Sequence, residues 1–236
     1  SYGYTNDGED IQVYLSSELL PESSLWFTNP PDQNEINYKL DKQESLRWSK
    51  IKKTNDITTT INSKTTYQSV LGIGTSFEAT TLYAISKGKT DEQIRKILTL
   101  LIDPKNGLGF NMFRITIGTS DFSDGRTVSS HPKGFYTYQD DIENFSIEPD
   151  KKTGIIKMLK LVQDVAANLD PPQSIIFFAA PWSPPAWMKT SEELIGGTLK
   201  KGYEKQFARY LRRFIESYQN EGIPIYAIST QNEPNF

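Results

Sequence analysis

From residue 69 onward the sequence predicts an α/β fold of strand–helix repeats around a parallel sheet. Three observations predict it. Four short apolar runs alternate with amphipathic helical stripes, the pattern of parallel strands joined by helical crossovers. No G-x-G-x-x-G opens a helix after a strand: Gly72-Ile-Gly74 runs into Thr-Ser-Phe, so a dinucleotide-binding sheet has no support. Residues able to do chemistry fall at the C-terminal end of every run: Glu78, then Asp121, then Trp182 and Ser183, then Asn232 and Glu233. Four such units make either the first half of a (β/α)8 barrel or a complete small doubly wound sheet. Functional residue types converging at one end of successive parallel strands are the pattern of a barrel mouth. The division this sets is an N-terminal β segment over residues 1–68 and a strand–helix domain over residues 69–236.

In chain order, residues 11–15 alternate like a strand, residues 22–56 are polar with Pro30-Pro31, and residues 56–61 are β-branched and alternating. Two or three strands do not make a stable sheet by themselves. Residues 70–77 are apolar and glycine-bearing, as a buried parallel strand is. Glu78 then reads as the acid at a helix N-terminus, ahead of a short helix over residues 79–87. Thr90-Asp-Glu-Gln93 is a capping box opening a helix with Ile94, Ile97, Leu98 and Leu101 on one face. Residues 112–117 form the second strand, and a long polar loop runs to about residue 150. Ile155, Ile156, Leu159, Val162, Ala166 and Leu169 make a helical stripe, broken by Pro171-Pro172. Residues 174–180 are the third strand. Tyr203, Phe207, Tyr210, Leu211, Phe214, Ile215 and Tyr218 line another helix, stopped by Gly222 and Pro224. Ile225, Ala227 and Ile228 mark the fourth buried strand, which ends in Asn232-Glu233-Pro234. A carboxylate locked by proline at the lip of a parallel strand suits a catalytic acid, although an Asn-Glu-Pro turn gives the same letters.

Composition narrows the chemistry. The chain has 236 residues and a net charge of −3 with both signs interspersed, so no basic face invites nucleic acid. It has no cysteine, which excludes disulfides, thiolate metal sites and a cysteine nucleophile. Its one histidine, His131, precedes Pro132 in a polar stretch and reads as a loop residue, which leaves no His-rich metal site and no Ser-His-Asp triad. No metal and no cofactor are expected. No run of 18 apolar residues could span a membrane as a helix. The chain begins at Ser1 without an apolar leader, so the expectation is a removed leader or a start inside the gene. Asn144-Phe-Ser146 is a glycosylation acceptor pattern, usable only in a secretory host.

Four motifs carry a resemblance. Leu71-Gly-Ile-Gly-Thr-Ser-Phe-Glu-Ala79, Phe113-Arg-Ile-Thr-Ile-Gly-Thr-Ser-Asp-Phe-Ser123, Ala180-Pro-Trp-Ser-Pro-Pro-Ala-Trp-Met-Lys-Thr190 and Thr230-Gln-Asn-Glu-Pro234 resemble family 30 glycoside hydrolases, above all the glucosylceramidase branch. The resemblance implies a TIM barrel, its first four β/α units present, with N-terminal strands of an accompanying β-sandwich. It implies a retaining β-glycosidase acting on β-linked glycosides such as glucosylceramide or a β-glucan. Glu233 matches the general acid/base, which protonates the glycosidic oxygen and later deprotonates water. Asn232 matches the residue that hydrogen-bonds the sugar 2-hydroxyl. Asp121 and Trp182 match glycone-binding positions. Arg114, inside a strand, is read either as the partner of an active-site carboxylate or as half of a structural ion pair. Trp187 and Lys189 are placed at the aglycone mouth. An extracellular, periplasmic or lysosome-like setting goes with the resemblance.

One departure limits it. A retaining glycosidase needs a second carboxylate about 5–5.5 Å from the first as nucleophile. In the family it follows the seventh strand, and this chain ends just after the fourth. The expectation is a piece of a longer enzyme, inactive alone. Two other readings stay open: a non-catalytic carbohydrate-binding relative, and a self-sufficient hydrolase pairing Asp121 with Glu233. On similar barrels β-1,6-glucan, xylosyl and fucosyl substrates are also possible. Oligomeric state is not legible.

Overall fold

The computed structural model describes residues 14–15, 41–42, 44–46, 62–123, 135–139 and 143–234. The strand expected over residues 56–61, most of the stretch 22–56, and His131 lie outside these. The chain divides into two units, Ser1–Thr66 and Tyr67–Phe236. In the first, β1 (Tyr14–Leu15) pairs antiparallel with β2 (Asp41–Lys42).

The second unit is a parallel four-stranded sheet. Its strands are β3 (Gly74–Ser76), β4 (Met112–Ile117), β5 (Ile176–Pro181) and β6 (Ile225–Ile228), adjacent in chain order. A doubly wound sheet reverses its strand order at a switch point. Here each strand lies beside its predecessor, the arrangement of a barrel wall, and the doubly wound alternative falls away. Between the strands run α1 (Ala79–Ser86), α2 (Asp91–Ile102), α3 (Glu148–Thr153), α4 (Ile155–Ala167) and α5 (Glu204–Asn220).

One core forms where helices meet one face of the sheet. Alternation along β4 buries Phe113, Ile115 and Ile117 and leaves Met112, Arg114 and Thr116 on the other face. Phe77 stacks on Phe113 at 4.2 Å between ring centroids, and Phe113 meets Phe177 at 6.4 Å. Leu82, Leu98, Ile102, Leu159, Val162 and Phe214 close over them. Burying each such side chain contributes roughly 1.5–3 kcal/mol. The capping box forms: the Gln93 amide N–H donates to Thr90 Oγ1 (3.3 Å) and the Thr90 N–H to Gln93 Oε1 (2.9 Å). Gly154, at φ +84°, separates α3 from α4, so the expected polar loop already turns helical at Glu148, ahead of the stripe that starts at Ile155.

Both edge strands depart from expectation. β3 starts only at Gly74, and Val70, Leu71 and Ile73 are exposed; among the described residues β3 pairs with β4 alone. The close β3–β4 approach requires Gly74, since a Cβ there would lie 1.5 Å from the Met112 carbonyl oxygen. β6 is half-buried, not buried. A register shift beside Phe177 inserts Tyr226, which is 63% exposed, and lets Ile225 and Ile228 both reach the core while Ala227 stays exposed.

Candidate active site

The C-terminal ends of the four strands carry five of the residues singled out from the sequence. Glu78 follows β3, Asp121 follows β4, Trp182 follows β5, and Asn232 and Glu233 follow β6. Arg114 comes from within β4, its Cα in register with that of Ser76 on β3 and that of Phe178 on β5. It points to the face opposite the helix-covered core, where burying a guanidinium demands partners.

It has two. Arg114 NH1 donates to Glu78 Oε1 at 3.1 Å, and NH2 donates to Asn232 Oδ1 at 2.7 Å. A single side chain thus joins the ends of the first and fourth strands of the sheet. Glu78 is 4% exposed and accepts three further donors: Ser76 Oγ at 2.8 Å, Ser120 Oγ at 3.2 Å and the Thr116 hydroxyl. The reading of Glu78 as a helix-terminal acid holds for its position but not for its side chain. It does occupy the position before α1, but its side chain makes no capping bond there. Four donors turned toward it from β3, β4 and the loop after β4 outcompete one backbone N–H.

The loop carrying Asn232 is strapped to the end of β5. The Asn232 N–H donates to the Pro181 carbonyl (3.0 Å), the Ser229 N–H to that of Ala179 (2.9 Å), and Gln231 Nε2 to that of Trp182 (2.9 Å). Glu233 follows at φ +43°, in the left-handed region a non-glycine residue adopts at a cost of about 1 kcal/mol or more. Its exposed carboxyl forms no hydrogen bond or ion pair with another described residue. Asp121 is exposed on a turn that the Ser123 N–H closes onto the Ser120 carbonyl at 2.9 Å, and its carboxyl is likewise unengaged among the described residues. Trp182 is half-buried and stacks on Phe135 at 5.5 Å. The structure therefore brings Arg114 and Asn232 into direct contact, together with Glu78, and leaves Asp121, Trp182 and Glu233 at the same end of the sheet without bonds to them.

Trp187 and Lys189 divide. Trp187 lines a cavity of about 600 Å³ with Phe135, Gln139, Glu192, Leu194 and Ile195, its indole N–H donating to the Gln139 carbonyl at 2.9 Å. Lys189 is buried rather than exposed. Its ammonium donates to Ser183 Oγ (3.0 Å) and the Leu194 carbonyl (2.7 Å), and burial pushes its pKa down. The reason is the chain's return over it, fixed by the Thr190 N–H donating to the Thr198 carbonyl at 2.8 Å.

Among the described residues no group of three or more His, Cys, Asp or Glu side chains could hold a metal, and no helix is long and apolar enough to cross a membrane. Sequence reasoning missed Glu78, Thr116 and Ser120 as one unit. A signal existed: an arginine placed on the pleat face opposite the core needs a carboxylate from a neighbouring strand end, and Glu78 is the acid that follows the adjacent strand.

Comparison with known proteins agrees with this architecture. A family model described as the glycosyl hydrolase family 30 TIM-barrel domain matches residues 70–236. "Putative glucosylceramidase 2" of Caenorhabditis elegans is 32% identical over 185 residues, covering 74% of this chain and 33% of that protein. Endo-1,6-beta-D-glucanase neg1 of Aspergillus fumigatus is 30% identical over 194 residues, covering 72% of this chain and 36% of that protein. The solved structure of an endo-beta1,6-glucanase superposes with a TM-score of 0.62 at 31% identity, over 84% of this chain and 41% of its own. The chain spans about a third of the length of the curated relatives it matches.

Proposed function

Since the chain belongs to glycosyl hydrolase family 30, we propose that its protein is a retaining β-glycosidase cleaving β-glucosidic bonds, with Glu233 as general acid/base. Its nucleophile would lie C-terminal to residue 236. The observation that carries this reading is the Arg114 bridge, which anchors Asn232 one residue before Glu233. An amide held there can donate to the sugar 2-hydroxyl, a contact that strengthens as the anomeric centre becomes cationic. As general acid Glu233 would have to keep its proton near working pH, which takes burial and a neighbouring carboxylate; its carboxyl is exposed and unpaired among the described residues, so that enclosure would have to come from substrate and from chain beyond residue 236. Asp121 would accept sugar hydroxyls, and Trp182 would offer an apolar face to ring C–H groups. A glucosylceramidase-like substrate and an extracellular, periplasmic or lysosome-like setting go with this reading. A β-1,6-glucanase is the second reading, favoured by the likeness at 31% identity to a solved enzyme of that name.

The test uses the full-length gene product. Glu233→Gln should lower kcat/KM on an aryl β-glucoside by about 10²–10⁴, with the circular dichroism spectrum unchanged. A mechanism-based fluoro-sugar should label a carboxylate beyond residue 236. Labelling of Asp121 or Glu78, or an unchanged rate in the variant, overturns the proposal. Turnover of glucosylceramide against β-1,6-glucan separates the two substrate readings. Ligand binding without any turnover, the same in wild type and variant, would mark a carbohydrate-binding relative.

A further inference from the structure

We propose that Glu78 is a positioning residue for the 2-hydroxyl contact, acting through Arg114 on the amide of Asn232. The inference rests on the glycosidase reading above and deepens it.

A carboxylate has about four lone-pair sites, and all four of Glu78 are occupied. Oε1 accepts from Ser76 Oγ at 2.8 Å and Arg114 NH1 at 3.1 Å. Oε2 accepts from Ser120 Oγ at 3.2 Å and from the Thr116 hydroxyl. A group so saturated has nothing left with which to attack a sugar or take a proton from water, so its work is done through its donors. Of these only Arg114 reaches onward. With NH1 fixed on Glu78, the planar guanidinium has one orientation, and that orientation aims NH2 at Asn232 Oδ1, 2.7 Å away. Because Oδ1 accepts from the cation, the other edge of the amide, Nδ2, is the one turned outward. Asn232 therefore meets a ligand as a donor, the polarity needed to bond the oxygen of a sugar 2-hydroxyl.

Remove the charge at Glu78 and this polarity is no longer specified. In Glu78→Gln the new amide N–H₂ would face donors, the guanidinium would lose its counter-charge, and the Asn232 amide could turn over.

The experiment compares a β-glucoside with its 2-deoxy analogue on the full-length protein. Wild type should prefer the glucoside in kcat/KM. E78Q should lose roughly 100-fold on the glucoside, the scale of a misplacement of about 1 Å, chiefly in kcat, and change little on the 2-deoxy analogue. The double variant E78Q/N232A should be no slower on the glucoside than N232A alone. Where E78Q does not fold, Glu78→Asp, which keeps the charge on a shorter arm, should show the same selective loss to a smaller degree. A wild type with the 2-hydroxyl preference whose Glu78 variants slow both substrates equally, or add to N232A, overturns the positioning role alone. A wild type that hydrolyses neither substrate overturns the glycosidase reading and the positioning role with it, and an N232A variant that slows both substrates by the same factor overturns the 2-hydroxyl contact through which Glu78 would act.

Discussion

Two carboxylates are buried among the described residues, Glu78 and Asp150, at 4% and 1% exposure, and their surroundings could hardly differ more. Glu78 stands at the mouth end of the sheet, opposite a guanidinium and three aliphatic hydroxyls. Asp150 stands on α3, outside the sheet, and accepts three phenols: Tyr136 at 2.5 Å, Tyr138 at 2.6 Å, and Tyr218 from α5. No cation pairs with it among the described residues. Burial pushes its pKa up to about 6 from 3.8, with the three tyrosines pulling the other way. Burial, and then the nearby Asp150 charge, push the tyrosines up as well. The contrast separates two uses of a buried acid. A cation that makes a second bond elsewhere passes orientation on to another residue. Phenols that end on the acid knit elements together and pass nothing on.

The sharpest way to break the comparison is to delete Asp150. In Asp150→Ala three buried hydroxyls lose their acceptor, at about 1–3 kcal/mol each before relaxation. The expected loss is about 4 kcal/mol in chemical denaturation, with kcat of the folded fraction retained. A variant of normal stability and impaired turnover would reverse the roles assigned to the two acids.

Next comes pH. The Asp150 carboxyl releases its proton at a higher pH in the folded state than in the unfolded chain. Its contribution to stability is fully present below about pH 4 and is lost as pH rises through 6. At 1.36 kcal/mol per pH unit the loss amounts to about 3 kcal/mol by pH 7. Asp150→Asn, which mimics the protonated acid, should flatten that segment of the stability profile. A smaller change belongs to Tyr218→Phe. Removing one donor of three should cost about 1 kcal/mol and move the midpoint of the decline to higher pH, since the lost bond was one that held the pKa down.

These two sites also mark how far the sequence could be read. Periodicity and local chemistry exposed the strand–helix repeat, the Thr90–Gln93 capping box and the α5 stripe, because each is written within a few residues. The sequential strand order that excludes a doubly wound sheet is a long-range fact: periodicity left it open, and only the resemblance pointed to the barrel. The direction of the Glu78 side chain was not legible, because an acid just before a helix carries the same letters whether it caps that helix or turns away from it. The donors that decide between these, Arg114, Thr116 and Ser120, lie 36 to 42 residues on. Asp150 drew no attention at all. Tyr136 and Tyr138 sit in a stretch that looked like solvated loop, and Tyr218 lies 68 residues from the acid it bonds. The burial of Lys189 was illegible for a related reason, since nothing local announces that the chain will fold back over it.

The smallest expected effect tests whether contact distance alone could have ranked these interactions. Arg95 on α2 and Asp164 on α4 also form an arginine–carboxylate pair, at 2.5 Å against 3.1 Å for Arg114 and Glu78. By distance the helix pair should be the stronger. But its side chains are 48% and 49% exposed, against 29% and 5% at the mouth. Water solvates both Arg95 and Asp164 when they part, salt screens them when they meet, and two long side chains give up rotamer freedom to stay together. Arg95→Ala should therefore change stability by about 0.5 kcal/mol or less, and less still in 1 M salt. At the mouth, losing one partner strands a charge that water reaches poorly, so Glu78→Ala should cost several times as much, on the order of 3 kcal/mol. A double-mutant cycle on each pair measures the two couplings directly. A larger coupling for the helix pair would mean that proximity outweighs desolvation here, and the distinction between an anchoring acid and a solvated one would lose its physical basis.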